Sequence, residues 1–134
     1  RPYPKGGVRL EHEYLRGKHI FHNYGHGGAG ISLAFGSGYI SAKSVGVYVG
    51  PSKVKNVDCA VLGCGIIGLF TAIELSKRGY SVRIYTETVP KPNATDNLLT
   101  SQVAAGKWQP GGYDLEADYL KHETLAKLSF EYYQ

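Results

Sequence analysis

Methionine is absent from this sequence, cysteine is nearly so, and neither a long apolar run nor a block of like charges occurs. With no methionine even at position 1, we expect the chain to be processed or trimmed from something longer. No signal peptide is visible, and the longest apolar run falls far short of the ~18 residues of a membrane span. Cys59 and Cys64 are too few for a disulfide framework, so we expect small buried thiols in a reducing compartment.

The charged residues leave the chain mildly basic, with 15 Lys and Arg against 11 Asp and Glu and a pI near 9.0. The basic residues are scattered, which indicates a solvated surface and not a nucleic-acid patch. The eleven tyrosines are also dispersed and accompany no nucleic-acid-binding motif. We therefore expect neither a nucleic acid nor a membrane as a partner.

Histidine is the one residue type that suggests a metal, through His19, His22, His26 and His122. On a strand, His19 and His22 would point to opposite faces, because the side-chain period is two. No carboxylate or cysteine accompanies them at ligand spacing, so the sequence predicts no metal site.

Three glycines at G-x-G-x-x-G spacing, Gly63, Gly65 and Gly68, follow a β-branched run at 57–62. In a dinucleotide-binding turn the first glycine permits the sharp turn and the second admits the pyrophosphate. The third lets the helix pack closely on the strand. The pyrophosphate would lie on the free N–H groups of a helix that begins near Ile66.

A return strand over 81–86 leads to Glu87, nineteen residues beyond Gly68. An acidic side chain at this distance accepts hydrogen bonds from the ribose hydroxyls of a dinucleotide, and it would repel a 2′-phosphate. Strand, helix, return strand and acid together predict dinucleotide binding; the alternative is a glycine-rich turn in an unrelated α/β protein. The fingerprint does not separate FAD from NAD.

The length of 134 residues predicts a single domain. Residues 8–15 alternate apolar and polar and predict a half-buried strand, with a turn at 16–18 and a return strand at 19–24. Four glycines follow within 25–30, and apolar residues at roughly helical spacing predict a helix over 31–45.

The composition of residues 46–56 predicts a linker, and Pro90 and Pro92 indicate a loop over 88–97. Asp114 is a candidate N-cap for a helix that runs from 115 to about 132. The predicted apolar stripe of that helix consists of Leu115, Tyr119, Leu120, Thr124, Leu125 and Leu128.

Residues 57–110 resemble the amino-terminal part of the D-amino-acid oxidases, flavoproteins of the glutathione-reductase-like FAD class. The resemblance includes the fingerprint, Glu87 and, most specifically, the run SQVAAGKWQP at 101–110. Residues 1–45 resemble the carboxyl-terminal part of the same family, through Arg1-Pro2, VRLE at 8–11 and HNYGHGGAGIS at 22–32. The order is inverted, so the linker joins the family's end to its beginning. The family's middle, which builds most of the substrate domain, is missing.

The resemblance implies a Rossmann-like FAD-binding domain with a mostly parallel sheet flanked by helices, preceded by an N-terminal hairpin. In the family both chain ends belong to the FAD domain, and close termini are what circular permutation requires. The carboxyl-terminal strand and helix would join the sheet that the fingerprint strand begins. The sequence leaves open whether the permutation is natural or engineered.

Carried over residue by residue, the resemblance implies a set of FAD contacts. The pyrophosphate would meet the backbone of the fingerprint turn, namely Gly63, Cys64, Gly65, Ile66, Ile67 and Gly68. The adenosine would meet Glu87 and Thr88, and the phosphates or ribityl chain would meet Thr100 and Ser101. The isoalloxazine ring would lie by Ala105, Gly106, Lys107 and Trp108, with its pyrimidine end at Gly27, Gly28, Ala29, Gly30, Ile31 and Ser32.

Two departures from the family pattern concern the flavin. Ala29 stands where the family often has a bulky aromatic residue, so we expect a more open site. Lys107 stands where an apolar residue is common, which places a cation near the flavin or in solvent. Arg1 aligns with the arginine that binds the substrate carboxylate in the family, although at the chain end we expect it to fray.

The missing middle favours a minimal FAD-binding module with little or no efficient turnover, cut down or engineered from an oxidase. The alternative is an active D-amino-acid oxidase, which forms an imino acid and hydrogen peroxide. We expect FAD as a partner, an amino acid as a possible substrate, and self-association through the face that the missing substrate domain would cover. The expected compartment is cytoplasmic or peroxisomal in type.

Overall fold

The computed structural model describes residues 7–50, 59–93, 95–96, 98–104 and 119–134. Five residues assigned to the candidate site lie outside these ranges: Arg1, Ala105, Gly106, Lys107 and Trp108. None of the described helices is long and apolar enough to cross a membrane. The elements in chain order are β1 (Arg9–Leu15), β2 (Lys18–Tyr24), α1 (Gly30–Tyr48), β3 (Cys59–Leu62), α2 (Ile66–Lys77), β4 (Val82–Tyr85), α3 (Thr100–Val103) and α4 (Tyr119–Tyr133).

The predicted N-terminal hairpin is confirmed by strands β1 and β2. The two strands pair antiparallel from Arg9 opposite Tyr24 to Leu15 opposite Lys18. The two-residue connection, Arg16 and Gly17, has φ values of 50° and 76°. Positive φ at both central positions matches the right-handed twist of the flanking strands, as in a type I′ hairpin turn.

The predicted strand–helix–strand unit is confirmed by β3, α2 and β4. The two strands pair in parallel, with Cys59 opposite Val82 and Leu62 opposite Tyr85. A parallel pair needs a crossover connection, and α2 supplies it by packing against both strands. The carboxyl ends of β3 and β4 therefore lie at one edge.

The predicted mostly parallel sheet is not found in the described part of the chain. The strands form two separate two-stranded sheets, β1–β2 and β3–β4. Strand β2 pairs with β1 and contacts the strand–helix–strand unit only through side chains in the described residues. One such contact is the hydrogen bond that Asn23 Nδ2 donates to Thr71 Oγ1 of α2 at 3.1 Å. Strand β2 packs on α1. Contacts with this helix therefore take the place of the backbone hydrogen bonds that were expected between β2 and the parallel strands.

Helix α1 is central, since it packs against α2, α4 and the hairpin. One core cluster unites Ala42 and Val45 of α1 with Val61, Ala72, Leu75 and Tyr80. A second unites Leu33 of α1 with Val8, Ala29, Leu125 and Ala126. The helix continues to Tyr48, so the first three residues of the predicted linker are helical.

Glycine in α1 permits close packing on both neighbouring helices. A Cβ at Gly36 would overlap the carbonyl oxygen of Leu125, and one at Gly38 would lie 2.9 Å from the carbonyl carbon of Phe70. Across the contact with α4, Gly36 N–H donates to Ser129 Oγ at 2.8 Å.

The predicted stripe of α4 agrees only in part with the face that the structure buries, and the predicted N-cap Asp114 and Leu115 lie outside the described residues. Leu125 is buried as expected, but Thr124 is exposed, and among the described side chains α4 also buries His122, Ala126 and Ser129. The reason is the short distance to α1, which favours small side chains over leucines at the contact.

Gly36→Ala should lower the free energy of unfolding by about 1–3 kcal/mol, because overpacking outweighs the gain in helix propensity. Gly46→Ala is the matched control in the same helix, since the nearest atom to its Cβ is Tyr80 Oη at 3.9 Å. Chemical denaturation of the two variants tests this, and equal stabilities would contradict the close contact of α1 with α4.

Candidate functional site

A cleft of about 1470 Å³ lies between the hairpin and the strand–helix–strand unit. Its walls are strand β2, the N-termini of α1 and α2, strand β3, and the start of α3. Sites for small ligands usually measure ~300–1,000 Å³. The cleft is therefore large enough for an extended ligand such as a dinucleotide.

The fingerprint glycines each have a separate steric reason in the structure. Gly63 has a φ of +107°, a conformation that favours glycine. A Cβ at Gly68 would overlap the Gly63 carbonyl oxygen and lie 3.1 Å from its carbon. A Cβ at Gly65 would meet no atom within 4 Å, so this glycine leaves the space in front of the backbone open.

Helix α2 begins at this turn with backbone donors available. Gly65 is its N-cap, no side chain caps the helix, and its first turn contains no acidic residue. The helical ladder starts with Leu69 N–H, which donates to Gly65 O at 2.9 Å. The N–H groups before Leu69 and the positive end of the helix dipole therefore suit an anion.

Helix α1 begins at the same cleft in the same manner. Its N-cap is Ala29, with no side-chain cap and no acidic residue in the first turn. The ladder starts with Leu33 N–H, which donates to Ala29 O at 3.0 Å. The cleft is thus lined by two helix N-termini, which come from sequence motifs on opposite sides of residues 51–58.

The charge of the cleft agrees with an anionic ligand. Among the described residues that line it, the ionisable side chains are Lys18, His19, His22, Tyr24 and Cys59, and none is a carboxylate. His22 Nε2 contacts Glu13 Oε2 at 2.9 Å. Within the described ranges, no three His, Cys, Asp or Glu side chains come together as metal ligands.

Eleven of the site residues inferred from the sequence line this one cleft. They are Gly28, Gly30, Ile31, Ser32, Gly63, Gly65, Ile66, Ile67, Gly68, Thr100 and Ser101. Five others are described but do not line it: Gly27, Ala29, Cys64, Glu87 and Thr88.

The positions of two of these residues, Ala29 and Glu87, have simple explanations. Ala29 is 3% exposed and belongs to the core between α1 and α4, so its small side chain does not widen the cleft. Glu87 is exposed beyond the end of β4. Gly63 N–H of the fingerprint turn donates to Tyr85 O at 2.8 Å. Glu87 comes two residues after Tyr85, so it is close to the fingerprint turn although it does not line the cleft. Neither cysteine belongs to a disulfide, and both are half-buried instead of buried as expected.

Strand β2 is the wall that sequence reasoning missed, although all seven residues of Lys18–Tyr24 line the cleft. The available signal was a repeated arrangement. Strand β2 leads through a glycine-rich turn into α1, as β3 leads through the fingerprint turn into α2. In both units the carboxyl end of the strand and the following helix N-terminus belong to the ligand side.

The glycine-rich turn that precedes α1 contains a buried histidine. His26 is 6% exposed, and its carbonyl accepts a hydrogen bond from Ala29 N–H at 2.9 Å. Burial lowers its pKa to about 4, and the neighbouring His122 adds to the effect. The imidazole is therefore neutral at pH 7 in the folded protein.

Acid should destabilise the protein through His26. The unfolded chain binds the proton near pH 6.5 and the folded chain only near pH 4, so stability is lost as the pH falls between these values. The free energy of unfolding should drop by up to roughly 3 kcal/mol across this window. Denaturation of wild type and His26→Gln at several pH values checks this, and an unchanged pH slope in the variant would contradict it.

Comparison with known proteins agrees with this geometry. The family model described as DAO, FAD dependent oxidoreductase, matches residues 58–134, which is more than half of the chain. No curated protein and no solved structure matches the chain. The matched segment contains the fingerprint turn, α2, and the Thr100 and Ser101 wall of the cleft. The chain therefore belongs to the DAO family of FAD-dependent oxidoreductases, and its cofactor is FAD.

Proposed function

We propose that the protein is a minimal FAD-binding module, similar to the FAD domain of a D-amino-acid oxidase in permuted order, with little or no efficient turnover. The observation that carries the proposal is the pair of uncapped helix N-termini at one cleft whose described lining holds no carboxylate. A dinucleotide has an anionic pyrophosphate at its centre and a long arm on each side. The backbone donors of this cleft suit the pyrophosphate, and its size suits the two arms.

The described residues fit FAD at the fingerprint turn. The backbone of Gly63 and Gly65 would hold the pyrophosphate, because the open space in front of Gly65 is where a Cβ would otherwise project. Thr100 and Ser101 supply hydroxyl groups on the same cleft. Gly28 and the first residues of α1, Gly30, Ile31 and Ser32, would hold the flavin end at the N-terminus of α1, where the dipole stabilises negative charge.

When bound, the flavin supplies hydride acceptance, and the chain supplies binding and orientation. Efficient oxidation also requires a cation that orients the substrate carboxylate and walls that exclude water. No arginine lines the described part of the cleft, and Arg1 lies outside the described residues. These features favour the module, whereas membership of an oxidoreductase family favours the active oxidase as second candidate.

The same proposal includes self-association through the face that the missing substrate domain would cover. Leu62 lines the cleft and is 83% exposed, and Val103 of α3 is 61% exposed. Exposed apolar surface of this kind is typical of contact sites. Sedimentation at micromolar concentration tests it, and a strictly monomeric species would count against it.

A reducing compartment of cytoplasmic or peroxisomal type remains the proposed location.

Gly65→Ala and Gly68→Ala should separate cofactor binding from folding. The backbone of Gly65, at φ −73° and ψ 174°, is one that alanine also adopts. Gly65→Ala should therefore retain stability but weaken FAD binding at least ~10-fold, about 1.4 kcal/mol. Gly68→Ala should lower the free energy of unfolding by about 1–3 kcal/mol, because its Cβ overlaps the Gly63 carbonyl. FAD titration and chemical denaturation of both variants measure this. Wild-type affinity in Gly65→Ala would argue against the pyrophosphate position.

Anaerobic addition of D-alanine to the FAD-loaded protein decides between module and oxidase. We expect the yellow flavin absorbance to persist over minutes, because no arginine lines the described part of the cleft to orient the substrate carboxylate through two hydrogen bonds. Rapid bleaching would instead establish the oxidase. A wild-type protein that takes up no FAD in titration would overturn both.

A further inference from the structure

Two of the described strands each have an edge that no other described strand pairs with, and both of these edges face the cleft. Strand β2 pairs with β1 and strand β3 pairs with β4, in two separate sheets. Every residue of β2 and of β3 lines the cleft, whereas no residue of β1 or β4 does. The cleft therefore includes a gap with the edge of β2 on one side and the edge of β3 on the other.

The two sheets lie over the same pair of helices. Phe21 of β2 packs on the core cluster that α1 and α2 share, and so do Val82 and Ile84 of β4. Val61 of β3 is itself a member of that cluster. A strand placed between β2 and β3 would thus join both sheets into one layer on α1 and α2.

The backbone of β3 directs hydrogen-bonding groups into this gap. On the β4 side, Cys59 N–H donates to Ser81 O at 3.1 Å, and Gly63 N–H donates to Tyr85 O at 2.8 Å. The N–H groups of successive residues in a strand point to opposite edges. The N–H of Ala60 therefore points away from β4 and toward the gap.

The sequence of β3 does not protect its edge against pairing. Residues 59–62 contain neither a charged residue nor a proline, and these are features that commonly prevent another strand from adding to an edge. Ala60 is exposed, and Leu62 is 83% exposed. Such an edge is a template for an extended peptide, whose backbone donors and acceptors have the same spacing.

The cleft extends beyond the part that a dinucleotide would occupy. The N-termini of α1 and α2 lie at the carboxyl ends of β2 and β3, where dinucleotides bind in α/β folds. The lining continues to Lys18 and Cys59, the first residues of these strands, and to Val45 and Leu75 in the last turns of α1 and α2. The gap therefore has an apolar floor that the proposed FAD site does not use.

These features identify the kind of partner that fits the gap. Two facing strand edges require donors and acceptors on both sides of the partner, which an extended peptide has and a helix does not. The floor favours apolar side chains on the face toward the helices. The stretches of this chain outside the described ranges, at 1–6, 51–58 and 105–118, are rich in proline, glycine and charged residues, which strands disfavour. The partner is therefore a segment of another polypeptide.

We propose that the gap between β2 and β3 binds an extended segment of another polypeptide, which pairs through its backbone with both strand edges. The segment has apolar side chains on alternate residues and spans at least the four residues of β3. This interaction goes beyond FAD binding and leaves the strand ends to the cofactor.

The first test uses a short fluorescent peptide of alternating valine and threonine, with lysines at both ends for solubility. Two further versions carry N-methyl groups on all valines or on all threonines. Each version removes the N–H groups of one peptide edge only, because alternate N–H groups point to opposite edges. Fluorescence anisotropy should show binding of the unmodified peptide and at least ~10-fold weaker binding of both methylated versions. No binding of the unmodified peptide, or weakening by only one version, would overturn the inference.

A second test changes the edge of β3. Ala60→Pro removes the N–H that points to the gap and leaves the donors to β4 in place, which is a position that a strand tolerates for proline. It should weaken binding of the unmodified peptide at least ~10-fold. Ala60→Val is the matched control, since it keeps the N–H and should keep the affinity. Equal affinities in the two variants would overturn the inference, and the methylated peptides test the wild type if Ala60→Pro fails to fold.

Titration with FAD separates this inference from the proposed function. The peptide should bind equally well with and without FAD, and Ala60→Pro should retain the FAD affinity of wild type. Displacement of the peptide by FAD would overturn the inference and leave the proposed function intact. Failure to bind FAD with retained peptide binding would have the opposite meaning. Self-association without peptide that Ala60→Pro abolishes would assign the edge to a second copy of the chain and would also overturn the inference.

Discussion

Uncapped backbone donors at two helix N-termini are the constraint on which the rest of this structure depends. Neither α1 nor α2 has a side-chain cap or an acidic residue in its first turn, and both begin at one cleft. Such donors require acceptors, and side chains commonly provide them in other helices. Here the N-cap residues are Ala29 and Gly65, which have no side-chain acceptor, so these donors are available to an anionic ligand. Membership of an FAD-dependent family is consistent with this chemistry.

Close backbone approach gives the cleft its shape. Gly68 allows α2 to begin directly against the Gly63 carbonyl, while Gly36 and Gly38 allow α4 and α2 to approach α1 from two sides. Helix α1 is consequently held in place between its neighbours, and its N-terminus is fixed relative to that of α2. The position of these donors therefore depends on close packing between helices as well as on the residues of the cleft itself.

Local features of the sequence were sufficient to predict the hairpin and the fingerprint unit. The Arg16-Gly17 turn and the spacing of Gly63, Gly65 and Gly68 act over a few residues, and the structure has both as expected. Features that depend on distant partners were not predictable in this way. The buried face of α4 follows from its distance to α1, and the hydrogen bond between Asn23 and Thr71 arises where β2 meets α2. The separation into two sheets likewise depends on which helix β2 packs against.

The two walls of the cleft share no backbone ladder, since β1–β2 and β3–β4 are separate sheets. A dinucleotide bound between them would add contacts that span both walls. Helix α1 already joins these walls through the core that it shares with β3 and α2. The cofactor would therefore be a second brace, placed at the open side of a pair of sheets that the protein itself holds together only through a helix.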